Sequence, residues 1–135
     1  MTRLLVCVLG VLYLQVAQAA EDSMPNEDLY DECRTQERFK SNRQGMTGAD
    51  AVKAMSCISY MAGALHMYNM KSESECNLDG RTVDRFISDY LAFTRRTGSL
   101  EAHRRTVVFM LLETCYCGKN PGMQFSCPTS TPESR

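Results

Sequence analysis

The segment TVDRFISDYLAFTRRTG, residues 82–98, is the clearest secondary-structure signal in this chain. Its apolar residues recur at intervals of three and four, which places them on one face of an α-helix. Thr82 is a good N-cap residue, and Gly98 is a typical helix terminator. The segment therefore predicts an amphipathic helix with one face in a core. The residues on that face are Val83, Phe86, Ile87, Tyr90 and Leu91.

Three further segments predict helices around this one. Asn26 can cap a first helix. Thr47 and Asp50 form a capping box at the start of a second helix, in which the mid-helix Gly63 suggests a packing reason. Ser99 can cap a fourth helix. No segment predicts a strand, so the expected fold is all-α, a compact four-helix bundle stapled by disulfides. The apolar stripe of the second helix is Ala51, Ala54, Met55, Ile58, Met61, Ala62, Leu65 and Tyr68.

The first twenty residues predict an export signal. Arg3 precedes an apolar run over residues 4–16, and residues 17–19 read AQA, the small-residue pattern of a cleavage site. We therefore divide the chain into a signal peptide over residues 1–19, a helical domain over residues 20–117 and a polar tail over residues 118–135. No second apolar stretch is long enough to span a membrane. The mature protein is expected in the periplasm.

Composition limits the possible functions of the chain. Its 135 residues suffice for one domain, and 44% hydrophobic with 23% charged residues is typical of a globular protein. The 15 basic and 16 acidic side chains give a net charge of −1, which offers no electrostatic basis for binding nucleic acid. We expect neither nucleic acid nor a membrane as a partner.

An even number of cysteines remains once Cys7 has left with the signal peptide, and in an exported chain this predicts disulfides. A bridge between Cys33 and Cys57 would join the first two helices. Cys76 precedes the third helix and could reach either cysteine at the end of the fourth, and the other would then bond the tail. The six cysteines are Cys33, Cys57, Cys76, Cys115, Cys117 and Cys127.

Residues with catalytic or metal-binding potential are few. The two histidines, His66 and His103, belong to no recognised catalytic motif, and we expect both to be structural or solvated. Thiolate catalysis or zinc binding would need reduced cysteines, which export disfavours. The sequence thus predicts no enzyme activity, no metal and no cofactor.

Charges are unevenly distributed along the first predicted helix. Four acids occupy its first half and four bases follow, and a second basic group lies at the corner between the third and fourth helices. These charges either form a solvated surface that complements the helix dipoles or steer a charged protein partner. The residues are Glu27, Asp28, Asp31 and Glu32, then Arg34, Arg38, Lys40 and Arg43, and in the second group Arg95, Arg96, Arg104 and Arg105.

Several sequence elements together resemble a known family. The chain has Leu29 and Cys33 four residues apart, then CISYMAGAL at residues 57–65 and CNLDGRTV at residues 76–83. The tripeptide DYL at residues 89–91 and a last helix that ends in cysteine complete the series. This arrangement, which covers about residues 28–117, resembles the Rap/Tai family of type VI secretion immunity proteins.

The resemblance implies a small helical periplasmic protein, usually a homodimer, that binds and blocks a peptidoglycan-cleaving amidase effector. It also implies a Cys33–Cys57 disulfide and a disulfide between Cys76 and Cys117. Cys115 and Cys127 depart from the four cysteines usual in the family and suggest a third bridge. The apolar belt over residues 107–112 and the small residues of the second helix independently favour a homodimer.

The polar connection before the third helix is our candidate contact surface. It adjoins a predicted disulfide, which would hold it rigidly against a cognate amidase. Its charged members are Lys71, Glu73, Glu75 and Asp79. The alternative function is that of a periplasmic acid-stress or chaperone-type helical protein.

Overall fold

The described part of the chain consists of helices joined by short connections. The computed structural model describes residues 24–42, 44–71, 76, 78, 81–119, 122 and 126–128, so the predicted signal peptide lies outside the described residues. Among these residues there are four α-helices and no strand, which confirms the all-α prediction. The helices are α1 (Asn26–Ser41), α2 (Gly48–Lys71), α3 (Val83–Thr97) and α4 (Arg104–Leu111). A 3₁₀ turn (Ser99–Glu101) leads to α4, and a π-helical turn (Leu112–Tyr116) continues it.

Helix α3 matches its prediction residue by residue. Its apolar face is buried, including Phe86, Ile87, Tyr90 and Leu91. The Thr82 hydroxyl accepts a hydrogen bond from the Arg85 amide at 3.2 Å, which caps the first turn. At the other end, Gly98 adopts a left-handed conformation with φ of 65°. Because both ends and the buried face are specified locally, the sequence alone was sufficient to place this helix.

Helix α2 begins at the predicted capping box. The Asp50 carboxylate accepts from the Thr47 amide at 2.9 Å, and the Thr47 hydroxyl accepts from the Asp50 amide at 3.2 Å. One prediction about its side chains is wrong: Met55, assigned to the core stripe, is 60% exposed. Gly63 has no close neighbour within the described chain, since a Cβ there would meet nothing within 4 Å, so its packing role stays a prediction.

The start of α1 differs from its prediction. Pro25, not Asn26, is the N-cap residue, and Asn26 is fully buried inside the first turn. The Asn26 side-chain amide donates to the Ser99 carbonyl at 3.0 Å, and its oxygen accepts from the Tyr90 hydroxyl at 2.5 Å. The Asn26 amide also donates to the Ala102 carbonyl at 2.8 Å. Tertiary hydrogen bonds thus outweigh the local preference of asparagine for a cap position.

The fourth helix begins later than predicted. Ser99 lies in the 3₁₀ turn after Gly98, and α4 starts at Arg104, after the extended residue Ala102. An isolated backbone bridge between Pro25 and His103 holds this corner to the start of α1. The chain therefore uses residues 98–103 to attach α1 as well as to reverse direction.

All four helices contribute to one hydrophobic core. Helices α1 and α2 pack as a hairpin, with the Cα atoms of Cys33 and Cys57 5.1 Å apart across a disulfide. Such a bond contributes about 2–4 kcal/mol of stability. Outside the core, the Asp31–Lys53 ion pair at 2.7 Å lowers the Asp31 pKa and joins the same two helices. The buried apolar residues include Leu29, Met61, Leu65, Phe86, Ile87, Tyr90, Leu91, Phe93, Val107, Val108, Leu111 and Leu112.

No helix in the described part of the chain is both long enough and apolar enough to cross a bilayer.

Replacement of the buried asparagine tests the attachment of α1. We expect Asn26→Ala to lower the free energy of unfolding by about 2–3 kcal/mol, because it leaves the Tyr90 hydroxyl and the Ser99 carbonyl without their partner. The measurement is urea unfolding of the oxidised mature protein. Asn42→Ala, at an exposed position, is the matched control and should change the free energy by less than about 0.5 kcal/mol. Equal unfolding midpoints for the two variants would contradict the assignment.

Candidate functional site

The connection between α2 and α3, our candidate contact surface, is only partly described. Lys71 is the last residue of α2. The Lys71 side chain and the residues Glu73, Glu75 and Asp79 lie outside the described residues. Their role in binding a partner therefore stays a prediction.

Cys76 and Leu78 show how this connection is anchored. Cys76 forms a disulfide with Cys117 at the end of the fourth helical segment, which consists of α4 and the π-helical turn that continues it. Leu78 is buried, and its amide donates to the Cys76 carbonyl at 3.0 Å. The Arg81 amide in turn donates to the Leu78 carbonyl at 3.1 Å. A covalent bond and a buried side chain thus attach Cys76 and Leu78 to the bundle, and the two backbone hydrogen bonds link Cys76, Leu78 and Arg81 to one another.

The π-helical turn after α4 separates two cysteines that take different partners. Residues two apart on a helix project to nearly opposite sides, so Cys115 and Cys117 cannot both meet Cys76. The structure pairs Cys76 with Cys117 and Cys115 with Cys127, which resolves the alternative left open by spacing. Between the two cysteines, Tyr116 points into the core and is buried.

A buried carboxylate lies beneath this anchored end. Asp89 is 6% exposed and accepts a hydrogen bond from the Tyr116 hydroxyl at 2.5 Å. The Arg85 Nε atom lies 3.2 Å from one Asp89 oxygen, and Arg81 Nη1 lies 3.8 Å from the other. The Arg81 guanidinium also stands over the Tyr116 ring, 5.1 Å from its centroid. Two cations and a hydroxyl thus compensate the buried charge of Asp89.

The ionisation of Tyr116 is suppressed by this environment. Burial raises the pKa of the Tyr116 hydroxyl, and its hydrogen bond to the Asp89 carboxylate raises it further. The cluster was not predicted from the sequence, although one signal was available. Asp89 lies one turn after Phe86 and beside Tyr90, so it interrupts the buried face of α3 with a charge that requires partners.

A second tyrosine–carboxylate pair joins the ends of α2 and the fourth helical segment. The Tyr68 hydroxyl donates to Glu113 Oε1, and Lys119 Nζ lies 3.4 Å from Glu113 Oε2. The pKa of Tyr68 is raised by burial and by the Glu113 carboxylate. The Tyr68 ring packs edge-on against Phe109, with centroids 6.0 Å apart. This contact fixes the end of α2, from which the partly described connection departs.

A groove of about 530 Å³ lies between α1 and α3. Arg34, Arg38 and Lys40 on α1 and Arg95 on α3 contribute to its lining. In the sequence these bases lie on two separate segments, and no pattern in the sequence predicts that the two segments come close together. Only the packing of α1 against α3 places them around one groove.

The two histidines and the six cysteines do not form a reactive centre. His66 is exposed on α2, and His103 is exposed immediately before α4. All six cysteines from Cys33 to Cys127 are in disulfides, so their sulfurs are not thiolates that could attack a substrate or bind a metal. Within the described ranges, no group of three or more His, Cys, Asp or Glu residues is placed to hold a metal ion.

Removal of one hydroxyl tests the Asp89 cluster. Tyr116→Phe should lower the free energy of unfolding by about 1–2 kcal/mol near neutral pH, because Asp89 loses a buried donor. The raised pKa means that Tyr116 binds its proton more tightly in the folded state. Its contribution is therefore complete below about pH 10, where unfolded tyrosine ionises, and is lost as the pH rises further.

The difference in the free energy of unfolding between wild type and Tyr116→Phe should accordingly decrease at alkaline pH. Above about pH 10 this difference decreases by up to about 1.4 kcal/mol per pH unit, because the variant has no proton to lose at this position. Urea unfolding of both proteins at about pH 8 and about pH 11 measures the effect. A constant difference at the two pH values would show that the Tyr116 hydroxyl is not held protonated by the fold.

Comparisons of this chain with protein-family models, with curated proteins and with solved structures find no match. The likeness to Rap/Tai immunity proteins accordingly stays a prediction that rests on the sequence elements within residues 28–117.

Proposed function

We propose that the protein is an exported, non-enzymatic immunity protein that binds and inhibits a peptidoglycan amidase effector of a type VI secretion system in the periplasm. The sequence elements that resemble the Rap/Tai family motivate the proposal. Three disulfides in one small domain support an oxidising compartment such as the periplasm. The signal-peptide pattern over residues 1–19 is consistent with that compartment.

The Cys76–Cys117 disulfide is the observation that carries the proposal furthest. It joins the connection before α3 to the end of the fourth helical segment, and the buried Leu78 holds the same connection from inside. Cys76 and Leu78 are thus fixed before any partner binds, and positioning these two residues costs no further conformational entropy on binding. Glu73, Glu75 and Asp79 flank these two anchors in sequence. We assign the contact with the amidase active-site cleft to this connection.

Co-expression with an amidase encoded beside its gene tests the proposal. The mature oxidised protein should co-purify with the amidase and stop its hydrolysis of peptidoglycan. Glu73→Gln combined with Glu75→Gln should weaken inhibition by about tenfold without lowering stability, since a complementary charge pair at an interface commonly contributes that much. Glu27→Gln combined with Asp28→Asn, on the exposed start of α1, is the charge-matched control and should inhibit normally.

Two outcomes would overturn this function. The first is no complex and no inhibition with any exported amidase from the same gene neighbourhood. The second is suppression of aggregation of unrelated client proteins at low pH, which a specific inhibitor does not predict and which favours the acid-stress chaperone alternative.

We also propose that the protein forms a homodimer through the outward face of α2. Val52 and Met67 are 70% and 71% exposed, and with Met55, Ser59 and Gly63 they recur at intervals of three or four residues. This face is opposite the core stripe, and its small residues allow close approach of a second helix. A helix of 24 residues is about 36 Å long, sufficient for an interface of standard size.

Charge insertion on this face tests the dimer. The wild-type mature protein should sediment as a dimer at micromolar concentration. Met55→Glu combined with Met67→Glu should give a folded monomer, because both side chains are exposed in the described structure of one chain and are not needed for its core. Thr106→Glu, at an exposed position on α4, is the control and should remain a dimer. A wild-type monomer at this concentration would contradict the proposal.

A further inference from the structure

The groove between α1 and α3 combines cationic side chains with an apolar wall. The accessible apolar surface comes from Tyr30 on α1, because Ile87 and Leu91 on α3, which also line the groove, are core residues that are each 1% exposed. The ionisable residues that line it are four bases and two acids, so the local charge is positive although the whole chain has a net charge of −1. They are Arg34, Arg38, Lys40, Arg95, Glu37 and Asp84.

Both carboxylates of the groove already have partners within it. Lys40 Nζ lies 3.0 Å from Asp84 Oδ2, an ion pair that joins the end of α1 to the start of α3. The Ser88 hydroxyl donates to Glu37 Oε1 at 3.0 Å. These two contacts cross from helix to helix and hold the two walls of the groove together. The ion pair balances Lys40 against Asp84, which leaves the three arginines against the single carboxylate of Glu37 and hence an excess of positive charge.

The hydrogen bonds of Arg38 and Arg95 go to neutral groups, although Arg34 and Arg38 also help to lower the pKa of the nearby Asp31 carboxylate. Arg38 donates to the Thr35 hydroxyl at 3.1 Å, and Arg95 Nε donates to the Leu91 carbonyl at 3.2 Å. The Arg34 guanidinium stands 6.0 Å from the centroid of the Tyr30 ring. None of the three takes part in an ion pair with a described carboxylate.

This arrangement concentrates positive charge at the groove, although Asp31 and Glu37 on α1 offset part of it. Arg34 and Arg38 are four residues apart on one helix, and like charges at that spacing destabilise a helix by a few tenths of a kcal/mol. Arg95 adds a third positive charge from the opposite wall. Each guanidinium retains a planar set of donors that fits a carboxylate in a bidentate manner. A ligand that carries carboxylates would remove the repulsion and use those donors.

We infer that the groove binds a short acidic segment of a protein partner, with its carboxylates on Arg34, Arg38 and Arg95 and an apolar side chain against Tyr30. The volume of about 530 Å³ accommodates a few side chains and not a whole domain. The inference does not depend on the identity of the partner as an amidase, and it uses a surface distinct from the connection anchored by Cys76.

The charge distribution on α1 favours a short segment over an extended polyanion. On the same helix, Glu27 and Asp28 lie almost two turns before Arg34, and Glu32 lies two residues before it. A nucleic acid or an anionic membrane that covered the groove would also approach this acidic part of α1 and be repelled by it. A peptide segment can end before it reaches those acids. The apolar wall likewise suits a peptide, which can alternate acidic with apolar side chains.

Fluorescence anisotropy with a labelled peptide of alternating Glu and Leu tests the inference on the oxidised mature protein. At low ionic strength this peptide should bind, and the same peptide with Gln in place of Glu should bind at least about tenfold more weakly. Arg34→Gln combined with Arg95→Gln should weaken binding by about tenfold. Lys53→Gln combined with Arg105→Gln removes the same charge outside the groove and should change binding by less than about twofold.

Three outcomes would count against the binding of acidic segments by the groove. Equal binding of the Glu and Gln peptides would show that carboxylates are not recognised. Equal weakening by the two double variants would show that only net charge matters. Binding to phosphatidylcholine vesicles that contain phosphatidylglycerol, without binding of the Glu peptide, would identify a membrane surface as the ligand. If the Arg34→Gln, Arg95→Gln protein still inhibits an amidase, the function proposed above stands. The peptide measurement then decides by itself whether the groove binds acidic segments.

Discussion

Two adjacent residues of α3 hold the two ends of the bundle to its centre. Asp89 accepts from Tyr116 in the last helical turn, while Tyr90 donates to Asn26 in the first turn of α1. Both hydrogen bonds are buried, so water cannot replace either partner without opening the core. The sequence also specifies α3 more completely than the other helices. Through these two hydrogen bonds, α3 positions the first turn of α1 and the last helical turn, which their own sequences specify less completely.

Prediction from sequence succeeded where a structure is specified locally and failed where it depends on distant partners. The periodicity of α3 and the Thr47–Asp50 box each act within one or two helical turns, and both were placed correctly. Asn26 has the side chain of a cap residue, but its environment is made by Ser99 and Tyr90, more than sixty residues away. No local pattern contains that information, because it arises only when the α3–α4 corner meets the start of α1.

The same distinction explains what could be predicted of the candidate sites. Cysteine spacing left open whether Cys76 pairs with Cys115 or Cys117, and only the family resemblance implied the Cys76–Cys117 bond that the structure contains. The Asp89 cluster needed Arg81 and Tyr116 from outside α3. The arginines of the groove were visible in the sequence as separate basic groups. Their convergence depends on the α1–α3 contact, which composition and charge order do not determine.

The two halves of α1 have different electrostatic roles because they face different neighbours. The acidic half contacts α2, where Asp31 pairs with Lys53 and Glu32 accepts from the Ser56 hydroxyl. The basic half faces α3, on which the two described carboxylates already have other surroundings. Asp84 forms an ion pair with Lys40, and Asp89 is buried in the core. Positive charge is therefore left over along the α1–α3 groove. The fold tolerates this charge because the arginines are exposed at the surface, while its stability comes from the buried core and the three disulfides.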